Sequence, residues 1–446
     1  MMKYDVAVIG AGPSGIFSAF SSSKNGNKTI LIDSGNKYKN KICDSYLSYI
    51  NNPNLKEPIC NGRCLGGFGG SSMHFEVNLD NYQNNYSSSL VELLGYDIVN
   101  EYSQKVFNFL QKLGLSLEIS NTKKEKIRYN NIKINPTESI PITFNELNKI
   151  MFKLEEIITD NCEEILFGER LTDIEKKEDY WKIITEDNVI ETDKIILAIG
   201  KRGIVKNFNL LNKLGVLYEF PDKIMLGIRI ETQREWLKNL LIKNPNPKII
   251  FSSNDSYIRS FCFCDGGRIM KYKIGSEISV DGQHGHTSKT EKTNFAILNE
   301  IIVPENRNSI YYALKYSKDI NSLSYNEKLP IQSYNDYILK KPSKKESILE
   351  FNPTFEGICG CDFNKVLDNY EIEIKPFINS MEKIFGDIPF QSFLTGPVFE
   401  KFLPRIKLNN HLRSSTKGIY FVGDCTGKIQ GVISGAVSGL FVGNNV

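Results

Sequence analysis

The chain has 446 residues, and 55 Lys and Arg against 52 Asp and Glu leave a net charge of +3. That near-balance argues against a dedicated nucleic-acid binder, which concentrates basic charge in one domain, and no apolar run reaches the roughly 18 residues of a membrane span. Nine cysteines over this length are too sparse and too odd in number for a disulfide scaffold.

Tyr4-Asp5-Val6-Ala7-Val8-Ile9 predicts a strand buried on both faces. It starts so early that no signal peptide precedes it, which predicts a cytoplasmic protein. The strand runs into Gly10-Ala11-Gly12-Pro13-Ser14-Gly15, a G-x-G-x-x-G, and an apolar helix follows. A second strand, Thr29-Ile30-Leu31-Ile32, ends in Asp33 and Ser34. Gly10 suits the tight turn, Gly12 lets a pyrophosphate approach the backbone, and Gly15 lets helix and strand pack closely. The helix start, with Pro13 at its first position and Ser14 next, offers unpaired N–H groups from Ser14 onward to phosphate. Asp33 is spaced to accept ribose hydroxyls. Strand, turn, helix, strand and acid in that order predict dinucleotide binding.

Further on, residues 144–162 read as a helix, followed by three short strand patterns within 165–199. The last ends Leu197-Ala198-Ile199-Gly200, a buried strand closing on glycine. Thr416-Lys417-Gly418-Ile419-Tyr420-Phe421-Val422-Gly423-Asp424 is another apolar strand, and it puts a carboxylate at the sheet edge where ligands of such sheets sit. A glycine-rich helix start follows, with Gly431, Val432 and Ile433.

These motifs, in this order, resemble the two-dinucleotide-binding-domain flavoproteins of the glutathione-reductase-like superfamily. The resemblance implies FAD, with Asp424 on the ribityl chain and the helix start at Gly431 facing the flavin pyrimidine edge. No second G-x-G-x-x-G occurs between 200 and 400, so no separate NAD(P)H domain is expected and NAD(P)H is a candidate external electron donor. The expected fold class is α/β: a Rossmann-like FAD-binding domain built from residues 1–78, 140–205 and 395–446, with an inserted α+β substrate or cap domain at 206–394. Residues 79–139 are expected to form a helical excursion.

A closer likeness rests on Cys64-Leu65-Gly66-Gly67-Phe68-Gly69-Gly70-Ser71-Ser72, Gly227-Ile228-Arg229-Ile230-Glu231, Cys262-Phe263-Cys264-Asp265-Gly266-Gly267-Arg268 and Asn294-Phe295-Ala296-Ile297-Leu298. Together they resemble a largely uncharacterised bacterial family of FAD-dependent dehydrogenase-like proteins. Gly282-Gln283-His284-Gly285 departs from that family's Asn-Gly-Met-Ser, and Gly423-Asp424-Cys425 from its Gly-Glu-Gly. The resemblance implies that Gly69, Gly70, Ser71 and Ser72 lie beside the flavin, where small residues admit close backbone approach.

The candidates for chemistry are four. Cys262 and Cys264, two apart on a strand, would face one way with Cα atoms about 6.6 Å apart, near the limit for a disulfide. They are either packing residues or a flavin-coupled dithiol, and Cys359-Gly360-Cys361 repeats the spacing. Metal binding is not expected, because this spacing is unlike the usual zinc sites. His284 and His286, in a glycine-rich loop, are the best acid/base pair, or else an exposed turn. Arg229 in an apolar run needs a partner: either Glu231 in an ion pair, or an anionic substrate. His74 is read as a loop-bonded histidine.

The function expected is an FAD-dependent oxidoreductase moving a hydride between flavin N5 and a small organic substrate. A flavin monooxygenase is the first alternative, but its Asp-Gly motif has no counterpart here except Asp265-Gly266-Gly267-Arg268, which lies far too early. The second is a flavoprotein acting on a macromolecule such as a tRNA or carrier protein. It leans on basic stretches at Lys123–Lys133 and Lys340–Lys345, which otherwise read as solvated loops.

Overall fold

The computed structural model describes residues 3–35, 59–60, 74–76, 88–115, 126–137, 139–142, 144–253, 256–283, 289–305, 307–346 and 351–446. The chain is a mixed α/β protein built on two large sheets.

The first sheet has seven strands and a parallel centre. Glu164–Phe167, Thr29–Asp33, Lys3–Ile9 and Val189–Leu197 run parallel side by side, and Ile419–Phe421 joins parallel to the end of Val189–Leu197. An antiparallel ribbon, Trp181–Thr185 and Leu171–Lys176, extends the sheet. The ribbon's outer strand has no counterpart among the predicted elements, because its acids and lysine dilute the apolar pattern. Both faces of the central strands are covered. Ala7 and Ile9 enter one hydrophobic core, Val6 and Val8 another. That is why the run reads as continuously apolar rather than alternating.

Register aligns the carboxyl ends of the parallel strands: Ile9 pairs with both Ile32 and Leu197, and Leu197 with Phe421. Gly10, Asp33, Ala198 and Val422 therefore emerge at one edge. Two helices cover one face there, Pro13–Lys24 and Val432–Asn445. Gly439 and Gly443 lie against the first helix, where a Cβ would overlap the carbonyl oxygens of Ser14 and Ser18. Ser21 Oγ donates to the Leu440 carbonyl at 2.9 Å, and Asn25 Nδ2 donates to that of Asn444 at 2.9 Å. The later helix is buried from Ile433 to Gly443, as its apolar composition demands.

The second sheet is antiparallel with eight strands, in the order Gln332–Ser333, Phe393–Glu400, Lys223–Gln233, Lys292–Ile302, Tyr257–Asp265, Lys248–Ser252, Ile132–Asn135 and Ile127–Tyr129. Ile228, Ile230, Phe295 and Ile297 project into the core that also holds Ala7, Ile9 and Leu197, so one apolar layer joins the two sheets. Met225, Ala296, Leu298 and Val398 face a separate core. A hairpin, Arg268–Ile274 with Glu277–Gln283, packs over that second face.

Residues 126–135, read from sequence as part of a helical excursion, form the last two strands of this sheet. Ile132 and Ile134 alternate inward, Ile134 pairing with Ile249 and Ile132 with Phe251. Helices do occupy Ser88–Leu94 and Tyr96–Lys112, and the helix expected over 144–162 is Phe144–Asn161. Among the described residues no helix is long and apolar enough to cross a membrane.

Candidate functional site

The turn after the first strand divides its glycines by task. Gly10 has φ +104°, and a Cβ there would overlap the Ala198 carbonyl oxygen. A Cβ at Gly15 would overlap the carbonyl oxygen of Gly10. Both are glycine because the chain passes too close for a side chain. A Cβ at Gly12 would meet nothing within 4 Å among the described residues. Gly12 caps the helix without a side-chain hydrogen bond, and Pro13 is its first residue. The N–H groups of the first turn, including those of Ser14 and Gly15, thus lack intrahelical acceptors beside open space, which fits an incoming pyrophosphate.

Asp33 stands at the same edge. Its carboxylate accepts from the Ala11 N–H and the Gly35 N–H, both at 2.6 Å. Burial nevertheless raises its pKa above the usual aspartate value. Two of about four lone-pair sites are used, so the group keeps capacity for ribose hydroxyls. Ser34 beside it is half-buried.

The distant motif closes on this turn. Gly423, at φ +68°, lies so near Ser14 that a Cβ would sit 2.5 Å from its Oγ. Asp424 follows on a short 3-10 turn, Gly423–Thr426. Burial pushes its pKa up to about 6, opposed by Lys201 and by the Gly431 N–H, and aided by Glu400. Gly431, at φ +100°, caps the helix that Val432 and Ile433 begin. Ser434 in its first turn has a buried Oγ without a partner among the described residues. Ala198 N–H donates to the Ile9 carbonyl at 2.8 Å, and Gly200, at φ +61°, opens the helix Gly200–Lys206.

Lys201, the next residue, is not among the positions the sequence singles out. Its ammonium donates to Glu400 Oε1 at 2.5 Å. Burial opposes its charge, but the fields of Glu400, Tyr272 and Asp424 override that and raise its pKa. The only sequence signal is a cation directly after a buried strand and its glycine.

Arg229 forms a second polar cluster. It is fully buried. Nε donates to Asn294 Oδ1 at 2.7 Å, Nη2 to the Cys262 carbonyl at 2.7 Å and Cys264 Sγ at 3.6 Å, and Nη1 to Asp281 Oδ1 at 3.4 Å. A Cβ at Gly282 would overlap Nη2. The ion pair expected with Glu231 does not form as a contact. Both side chains leave the same face of the strand, but Arg229 meets the hairpin while Glu231 accepts from the backbone N–H and the hydroxyl of Thr354.

The cysteine spacing also resolves differently. A bulge between Phe261 and Cys264, with Cys262 at φ +46°, breaks the regular alternation. No disulfide joins Cys262 to Cys264 or Cys359 to Cys361. Burial raises the Cys264 pKa far above the thiol range, outweighing Arg229. Among the described residues no group of three or more His, Cys, Asp and Glu is placed to hold a metal. Gly69, Gly70, Ser71, Ser72, His284 and His286 lie outside the described residues. His74 begins the strand His74–Glu76, which pairs with Ser139–Pro141.

No family model matches the chain, and no curated protein matches it. Solved structures similar to it include the Diels-Alderase PyrE3 of pyrroindomycin biosynthesis (10% identity, 94% of this chain and 59% of that one, TM-score 0.36). CtdE in complex with FAD is another (10% identity, 98% and 82%, TM-score 0.37). A third is a mutant form of the E. coli quinol fumarate reductase subunit FrdA (10% identity, 100% and 70%, TM-score 0.42). The chain spans about three fifths of the length of the first of these.

Proposed function

We propose that the chain is an FAD-dependent oxidoreductase that moves a hydride between the flavin and a small organic substrate. One observation carries the reading: the open helix start at Gly12, Asp33 and Asp424 converge at the carboxyl edge of parallel strands, although up to 412 residues separate them in sequence. In α/β sheets that edge is where ligands bind.

In this reading the N–H groups of Gly12, Ser14 and Gly15 hold the pyrophosphate, with Pro13 fixing the helix direction. Asp33 and Ser34 take the adenosine ribose, and Asp424 takes the ribityl hydroxyls. Gly423 and Ala198 set the floor. The first turn from Gly431 through Ile433 offers its N–H groups to the pyrimidine edge, favouring negative charge there. Bound FAD supplies the hydride-exchanging centre. Arg229 fixes the hairpin end at Asp281 and Gly282, from which His284 and His286 follow as the proposed proton carriers. Gly69 to Ser72 complete the flavin surroundings, and NAD(P)H is the proposed external donor. The split domain at 1–78, 140–205 and 395–446, with a substrate domain at 206–394, belongs to the same proposal.

The test is to purify the full chain, add FAD and record flavin absorption after desalting. Retained flavin in wild type, lost in Gly12→Glu and Asp424→Ala, supports the reading. Wild type that retains none overturns it. Anaerobic mixing of the flavin-loaded enzyme with NADH or NADPH then separates the reactions. Reduction that needs substrate present favours a monooxygenase, and reduction by substrate alone a dehydrogenase.

A further inference from the structure

Lys201 occupies the seam between the two sheets. It leaves the parallel sheet on the helix Gly200–Lys206 and bonds Glu400, the last residue of the antiparallel strand Phe393–Glu400. Its side chain is 19% exposed and that of Glu400 only 7%. On the other side its helix packs against the 3-10 turn Gly423–Thr426, which follows the parallel strand Ile419–Phe421, and this sets Lys201 in the field of Asp424. Tyr272 of the hairpin also faces the ammonium; its hydroxyl accepts from Ser279 Oγ at 3.3 Å, and the Arg202 guanidinium stacks 5.2 Å from its ring. One largely buried cation thus bonds the carboxylate of one sheet and lies in the field of a carboxylate of the other.

The cation is not explained by Glu400 alone. A buried pair is seldom stabilising by itself, since its desolvation offsets its attraction. A pair set beside a third charged group acts on that group. We propose that Lys201 is a positioning residue of the cofactor site: bonded to Glu400 on the antiparallel sheet, on a helix packed against the turn that carries Asp424, it keeps the Asp424 carboxylate in the form that accepts the cofactor's hydroxyls. This rests on the FAD reading above and adds to it the residue that governs the pH range of binding.

The charges around Asp424 make the sign definite. Burial raises its pKa, Lys201 lowers it, Glu400 raises it, and the Gly431 N–H lowers it, with the balance at about 6. Above that value the carboxylate is ionised and accepts; below it, it is protonated. Removing Lys201 removes the strongest influence favouring the ion, so half-maximal binding moves to higher pH. Removing the charge of Glu400 moves it to lower pH. A purely structural role of the Lys201–Glu400 bridge would move both variants the same way.

The experiment is a titration of the full-length apo-protein with FAD from pH 5 to 9, followed by flavin fluorescence, for wild type, Lys201→Met, Lys201→Arg, Glu400→Gln and Asp424→Asn. Lys201→Met is expected to shift the binding profile up by about one pH unit, the size of effect typical of a nearby opposite charge. It should bind about fivefold more weakly near the wild-type midpoint, approaching tenfold only well below it, and match wild type at pH 9. Glu400→Gln is expected to shift the profile down, Lys201→Arg to restore it, and Asp424→Asn to abolish the pH dependence in this range. Coincident profiles for wild type and Lys201→Met, or parallel shifts in Lys201→Met and Glu400→Gln, overturn the proposal. If Lys201→Met does not fold, the direction of the Glu400→Gln shift decides. Wild type that binds no FAD at any pH overturns the cofactor reading instead.

Discussion

Gly423 rests directly on Ser14: a single Cβ added to the glycine would come within 2.5 Å of the serine hydroxyl. Two motifs separated by 409 positions in sequence meet there, and the Asp424 carboxylate is thereby delivered to the turn that holds Gly12. The site exists only because the strand Ile419–Phe421 pairs with Val189–Leu197 and brings Gly423 to the same sheet edge.

The glycines of the first turn should separate binding from stability. Gly15→Ala is expected to lose about 1–3 kcal/mol in chemical denaturation, because its Cβ meets backbone that cannot yield. Gly12→Ala should keep wild-type stability, since its Cβ faces open space. Equal stability losses in the two would contradict this division.

The same logic applies at the helix pair. Gly439→Ala should lower the thermal midpoint, because it drives the helix Val432–Asn445 off Ser14, at a cost of about 1–3 kcal/mol. Gly435→Ala is expected to be neutral or stabilising by a few tenths to about 1 kcal/mol: its Cβ would make ordinary contact at 3.9 Å, and alanine favours helix. A thermal melt of both variants decides it.

Arg229→Met removes the donor that Asn294 Oδ1 and the Cys262 carbonyl accept from, and the cation facing Asp281, which keeps the Gly282 N–H. A loss of about 3–5 kcal/mol in urea denaturation is expected. Arg229→Lys should recover only part, because a point charge cannot serve Asn294, Cys262 and Cys264 together.

Glu231 gives a pH signature. Burial pushes its pKa up to about 7, against the hydrogen bonds from Thr354 and the fields of Lys292 and Arg229, from an ordinary 4.5. The folded protein therefore binds more protons here than the unfolded chain between those values, and stability falls as pH rises through that window. Glu231→Gln should remove a fall on the order of 3 kcal/mol between pH 4.5 and about 7. Denaturation midpoints compared across that range check it; an unchanged slope in the variant would refute the assignment.

Cys264 should behave as a packing residue. Burial keeps it protonated, so alkylation of the native protein followed by mass spectrometry should leave it unmodified, with full labelling after denaturation. Rapid native labelling would restore the dithiol reading.

Much of the first sheet is readable in sequence. The strands around Val6, Ile30, Ile196 and Tyr420 are short, β-branched and followed by glycine or aspartate, so period and punctuation agree. The second sheet is not. Its central strands are long, and Arg229, Glu231, Asn294 and Thr395 interrupt them with polar side chains that make sense only once the hairpin and Thr354 pack over that face. Lys201 stays hidden for the same reason: its partner is 199 residues away, and no local pattern announces an ion pair at a seam. The Arg229–Glu231 expectation fails because two residues on one face of a strand can still be claimed by different neighbours.

The helix Val432–Asn445 packs against a helix made more than 400 residues earlier in synthesis. On a ribosome, the first strand, the Gly10–Gly15 turn and their helix must therefore wait for about 400 further residues before their apolar face is covered. Folding dominated by such late closure is slow and leaves hydrophobic surface open in the meantime. A protein built this way keeps the apolar face of Pro13–Lys24 open until Val432–Asn445 is made, and a stall in translation just past Gly423 leaves the Gly10–Gly15 turn without the helix that packs beside it.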